Sequence, residues 1–121
     1  MTAYIAGGIT GDEKYKERCS AAKRMLLRES EDQLDSTAWY YGSPRADTVL
    51  NPAELPERWP NRLYMDVCLA MIRAADLVVF LPGWEQSRGA SLEMEYCRYQ
   101  RKPVYKLAQE EIEGWMRDEE S

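Results

Sequence analysis

ADLVVFLPG, residues 75–83, is the stretch on which the fold turns. Leu77 to Leu81 is an unbroken apolar run, β-branched at its centre and stopped by Pro82 and Gly83. A run this short, with no polar alternation, predicts a strand buried on both faces, as in the middle of a parallel sheet. Working outward, Asn61 to Ala74 predicts a helix with Leu63, Val67, Ala70 and Ala74 on its apolar face. A second helix runs from Ser87 to Gln100, KPVYKL (102–107) predicts another strand, and Gln109 to Arg117 is a short amphipathic helix through Ile112, Trp115 and Met116. At the N-terminus, TAYIAGGITG (2–11) is a strand ending in glycines, and Tyr15, Cys19, Ala22 and Leu26 repeat at helical spacing. A polar, irregular loop from Glu29 to Ala46 precedes a short strand in DTVLNP (47–52), and Pro56 and Pro60 lead to the Asn61 helix. The βα alternation predicts an α/β domain covering residues 1–121. Its architecture is a flavodoxin-like or Rossmann-like, doubly wound parallel sheet of four to five strands in three α/β/α layers, with a ligand crevice at the carboxyl ends of the strands.

Composition removes whole classes of chemistry. The chain has no histidine, which excludes Ser-His-Asp and Cys-His catalysis and imidazole metal sites. Cys19, Cys68 and Cys97 are far apart with no C-x-x-C pair, so they read as small core residues, and neither a metal nor another cofactor is expected. Sixteen basic against 21 acidic residues give a net charge of −5, a poor match for duplex nucleic acid. No apolar run is long enough for a bilayer and no signal peptide is evident, so a cytoplasmic protein with no membrane partner is expected. Carboxylates, tyrosines, serines and backbone amides remain, a set sufficient for glycosyl transfer.

In a doubly wound sheet the loops after the first and third strands meet, which brings Gly7, Gly8 and Gly11 toward Pro82 to Glu93. The glycines read either as a tight turn or as a loop whose amides approach a ligand. Glu93 follows SRGAS at a helix start, where free amides and the helix dipole would keep a carboxylate ionised. It is either a candidate nucleophile or an ordinary first-turn glutamate. Asp66 borders the Leu63, Val67, Ala70 stripe. Partial burial there would raise its pKa and suit it to proton transfer, while a solvated or capping aspartate is the alternative.

YIAGGITG (4–11), VLNPAELP (49–56) and the segment from Tyr64 to Tyr105 containing PGWEQSRGA-x-x-E together resemble the nucleoside 2-deoxyribosyltransferase superfamily. Within it the similarity is greatest to a small, largely phage-borne domain. The resemblance implies that Glu93 is the nucleophile toward the anomeric carbon of a deoxynucleoside, that Asp66 helps protonate the departing base and that Tyr4 holds the nucleophile. It also implies substrate contacts from Gly7, Gly8, Ile9 and Thr10 in the first loop and from Trp84, Ser87, Arg88 and Gly89 in the signature loop. Ser87 stands where the transferases commonly carry aspartate and the related deoxynucleoside 5′-monophosphate N-hydrolases carry a phosphate-binding serine. Those hydrolases also have a serine and an arginine in the first loop, where this chain has Gly8 and Thr10, leaving Arg88 or Arg45 as substitutes. Glu95, two residues beyond Glu93, reads as neutral. Trp84, Trp39, Tyr40 and Tyr41 are candidates for stacking on a base.

The implied activity is N-glycosidic bond hydrolysis or transfer on a deoxynucleoside or its 5′-monophosphate through a glycosyl-Glu93 intermediate. The alternatives are cleavage of another N-ribosyl bond, as in a nicotinamide dinucleotide, and a non-catalytic nucleotide-binding or sequestering protein. The Asn61 helix carries Met65, Cys68, Leu69 and Ile72 beside its first stripe, more apolar surface than one sheet face requires. With the dimeric plan of the relatives, this implies a homodimer whose partner closes the crevice near Glu93.

Overall fold

The computed structural model describes residues 1–7, 14–28 and 43–120. Its elements are β1 (Thr2–Ala6), α1 (Tyr15–Leu27), β2 (Thr48–Leu50), α2 (Asn61–Ala74), β3 (Leu77–Phe80), α3 (Arg88–Gln100), β4 (Val104–Lys106) and α4 (Gln109–Glu120). Short 3₁₀ turns cover Pro52–Glu54 and Trp84–Gln86. The four strands of the described residues form one parallel sheet in the order β2-β1-β3-β4. β3 is internal, as its unbroken apolar run requires.

The two-residue period of the strands divides the core. Ala3 and Ile5 of β1, with Val79 and Leu81, face α1 and α4, where Cys19, Met25, Leu26 and Ile112 are fully or almost fully buried. Tyr4 and Ala6, with Val78 and Phe80, face α2 and α3, meeting Cys68, Ile72, Met94 and Cys97. All three cysteines are free thiols in these layers. Each fully buried large apolar side chain contributes about 1.5–3 kcal/mol, so the central strands hold both helix layers.

One sequence expectation fails on α2. The face turned to the sheet carries Cys68 and Ile72, with Tyr64, Leu69 and Met71 packed partly against it, whereas Leu63, Ala70 and Ala74 are exposed. The helix is apolar nearly all round, so its periodicity admits more than one inward stripe.

Candidate active site at the β1–β3 crevice

Strand order reverses direction between β1 and β3, and the carboxyl ends of these two strands open a crevice. The crevice holds a cavity of about 250 Å³, reached by Tyr4 and Gly7 from β1 and its exit, Tyr64 and Cys68 from α2, and Ser87 and Glu93 from the start of α3. Gly7 is required by close approach: a Cβ there would lie 2.8 Å from Leu81 Cδ1, so any side chain would push against the exit of β3. Gly83, with φ of 86°, turns the chain out of β3 toward α3. Ser87 caps α3, its Oγ accepting a hydrogen bond from the Ala90 amide at 3.2 Å.

Glu93 is only 6% exposed, and the Tyr4 hydroxyl donates a hydrogen bond to its Oε2. Burial pushes the Glu93 carboxyl up to about 7, opposed by the Tyr4 hydrogen bond, which favours the ionised form. This corrects the expectation that the helix start keeps Glu93 ionised. Glu93 is the sixth residue of α3, in its second turn, beyond the free amides of the helix end. Burial outweighs the helix end there. The Tyr4 phenol is held protonated by its own burial and by the facing carboxylate, which leaves it as a donor to Glu93. The Cys68 thiol beside it is also pushed up, first by burial, so it is no thiolate nucleophile.

Asp66 does not join this group. It is exposed, and it does not line the cavity. Two residues along a helix are about 200° apart, so with Cys68 facing Glu93, Asp66 points the other way. The expected partial burial of Asp66 rested on the Leu63 stripe, which is the outward one. Trp84 also lies outside the cavity: its ring packs against Phe80 at a centroid distance of 5.2 Å, and Lys106 Nζ sits 5.6 Å from its centroid. Ser87 and Gly89 line the cavity, while Arg88 is exposed over a neighbouring open depression that they share. Arg45 and Glu95 are exposed as well. Gly8, Ile9, Thr10 and Gly11, like Trp39, Tyr40 and Tyr41, lie outside the described residues.

Sequence reasoning missed Asn61, Tyr64 and Tyr15, which complete the wall. The signal was present, since 61, 64, 65 and 68 follow helical spacing, but the competing stripe on α2 obscured it. Among the described residues Glu93 is the only carboxylate lining the cavity, and no group of three His, Cys, Asp or Glu could hold a metal ion. No described helix is long and apolar enough to cross a membrane.

Because the phenol favours the carboxylate, Tyr4→Phe should move the Glu93 titration upward. A ¹³C-observed pH titration of the Glu93 side chain should show a midpoint near 7 in the wild type and a higher one in the variant. Any turnover should fall about tenfold below pH 7 on loss of this charged hydrogen bond and recover as pH rises. An unchanged midpoint would contradict the assignment.

No curated protein and no solved structure matches the chain. Residues 1–106 match the model of the family described as Domain of unknown function (DUF4406), and the chain belongs to that family.

Proposed function

We propose that this protein cleaves or transfers the N-glycosidic bond of a 2′-deoxynucleoside or its 5′-monophosphate through a glycosyl intermediate on Glu93. The observation that supports it best is a buried carboxylate, steadied by the Tyr4 phenol, in a cavity at the crevice of a parallel sheet. In this reading a Glu93 oxygen attacks the anomeric carbon. The C1′–N bond breaks, its electron pair leaves with the base, and the base takes up a proton from solvent water. Water, or a second base, then attacks the same carbon and returns the carboxylate. A 5′-phosphate is supported by Ser87 and Gly89 lining both the Glu93 cavity and the open depression at Arg88. The test is release of free base from a panel of deoxynucleosides and their monophosphates, with Glu93→Gln as the control. Absence of release from every member would defeat the reading.

A second reading, a non-catalytic nucleotide-binding protein, is favoured by one observation: no second carboxylate from the described residues lines the cavity with Glu93. It expects saturable binding of the same panel with no base released.

The proposed enzyme is a homodimer. Leu63, 44% exposed, lies with Ala70 and Ala74 on the outward stripe of α2, an apolar surface that a second copy would cover. Light scattering coupled to size exclusion should give twice 14.1 kDa, and Leu63→Asp should shift the protein toward that single-chain mass. An active 14.1 kDa wild-type species at micromolar concentration would refute the dimer.

A further inference from the structure

Away from the crevice, an open groove of about 750 Å³ runs along one flank of α1. Lys16, Ser20, Lys23 and Leu27 recur at three- and four-residue spacing, so they form a single stripe roughly 16 Å long on that helix. Asn51 and Ala53, at the Pro52–Glu54 turn, and Trp115 of α4 add to the lining. The groove and the Glu93 cavity share no lining residue, so they are separate sites.

The charge of the groove runs against that of the chain. The protein carries a net charge of −5, yet Lys16, Lys23, Arg24 and Arg28 line the groove, and Glu54 is its one carboxylate among the described residues. Arg24 donates to the Trp115 carbonyl at 2.6 Å, and Arg28 donates to the Met25 and Pro44 carbonyls at 2.7 and 2.8 Å. Carbonyl acceptors orient a guanidinium without neutralising it. Lys16 and Lys23 pair with Glu57 and Glu54 at solvent-accessible positions, weak pairs that a multiply charged anion can exchange. The dipole of α1 accounts for cations in its last turn but not for Lys16, its second residue, where positive charge is unfavourable.

A second observation does not depend on charge. Trp115 is 6% exposed, and its indole Nε1 is buried without a hydrogen-bond partner in the wall of this groove. A buried donor with no acceptor is costly, and native chains seldom keep one. The Arg24 guanidinium carbon lies 5.9 Å from the centroid of the same ring, so a cation and an unused donor stand together.

We propose that this groove binds a small polyphosphate compound, its phosphate chain lying along α1 between Lys16 and Arg24 and one of its oxygens accepting from Trp115 Nε1. The volume lies within the roughly 300–1,000 Å³ usual for a small-molecule site. The acidic remainder of the chain disfavours a long polyanion such as a nucleic acid strand. The proposal is independent of the chemistry at Glu93.

The test is titration of inorganic tripolyphosphate and of adenosine triphosphate into Arg88→Gln protein, which removes the cation beside the crevice. Binding is followed by calorimetry and by the ¹⁵N–¹H resonance of the Trp115 indole, assigned by its loss in Trp115→Phe. Both compounds should bind saturably, weaken as salt is raised and shift that resonance. The double variant Lys16→Gln, Lys23→Gln changes only surface side chains and should weaken both about 10-fold or more. Trp115→Phe keeps the ring, loses the donor and should weaken them several-fold. Equal affinities assign the groove to the phosphate chain alone, and tighter binding of the nucleotide assigns it to a nucleoside polyphosphate; either supports the site. Absence of saturable binding, an indole resonance that stays in place, or affinity unchanged in the double lysine variant would overturn it. So would tighter binding of a single-stranded oligothymidylate than of tripolyphosphate, which would make the groove part of a nucleic acid surface.

Discussion

Glu93→Gln should abolish base release while making the folded protein more stable at alkaline pH. The loss of activity should be roughly 10³-fold or more, since an amide cannot form the glycosyl ester on which turnover depends. The gain in stability follows from burial. The Glu93 carboxyl is raised in the folded chain from an ordinary 4.5 to about 7, so the folded state holds the proton more tightly than the unfolded one. Its ionisation therefore costs no stability below pH 4.5. The cost grows as pH rises through the folded value and is complete above it. The full penalty is about 3 kcal/mol, and a neutral glutamine that still accepts from Tyr4 should recover about 1–3 kcal/mol of it. Urea denaturation at pH 8 and at pH 4.5 checks both halves: the variant should be more stable than wild type at pH 8 and equal to it at pH 4.5. A variant less stable at pH 8 would show that the buried charge is compensated. In the wild type, kcat/KM should rise with pH through about 7 as the nucleophile ionises.

The other buried glutamate among the described residues behaves oppositely. Glu111, 1% exposed, accepts from Ser43 Oγ at 2.5 Å, Tyr105 Oη at 2.8 Å and the Ala108 amide at 3.0 Å, the last of these fastening the first turn of α4. Arg28, also buried, donates to the carbonyls of Met25, Ser43 and Pro44. The Ser43 segment is thus held from both sides, by a cation on its backbone and an anion on its hydroxyl. Glu111→Ala strips three donors of their acceptor at once and should cost about 3 kcal/mol, lowering Tm by roughly 10 °C or more. Glu111→Gln keeps an acceptor and should lose less. Thermal melts of these variants beside Glu93→Gln should therefore move in opposite directions at pH 8. A Glu111→Ala protein within about 1 °C of wild type would show that water replaces the carboxylate at little cost.

Local sequence pattern specified a great deal of this molecule. The apolar run from Leu77 to Leu81, buried on both faces, can only be an interior strand of a covered parallel sheet, and the βα alternation around it settled the layers. The glycine after β1 and the helix opening at Ser87 were legible because turns and caps are short-range chemistry. The adjacency of the β1 and β3 exits follows from the doubly wound topology. Three things were decided only by tertiary packing. Helix α2 has two apolar stripes, and which one faces inward depends on how it seats against β3 and α3, so Tyr64 was hidden and Asp66 was misplaced. The Glu93 titration depends on how deeply the packed structure buries the carboxyl, a property of distant residues that outweighs the local helix end. The pairing of Glu111 with Ser43 spans 68 residues, and no local pattern records it. Backbone periodicity reports which residues can share a face, but only the packed structure decides which face is dry, and dryness sets both the energy and the chemistry of a charge.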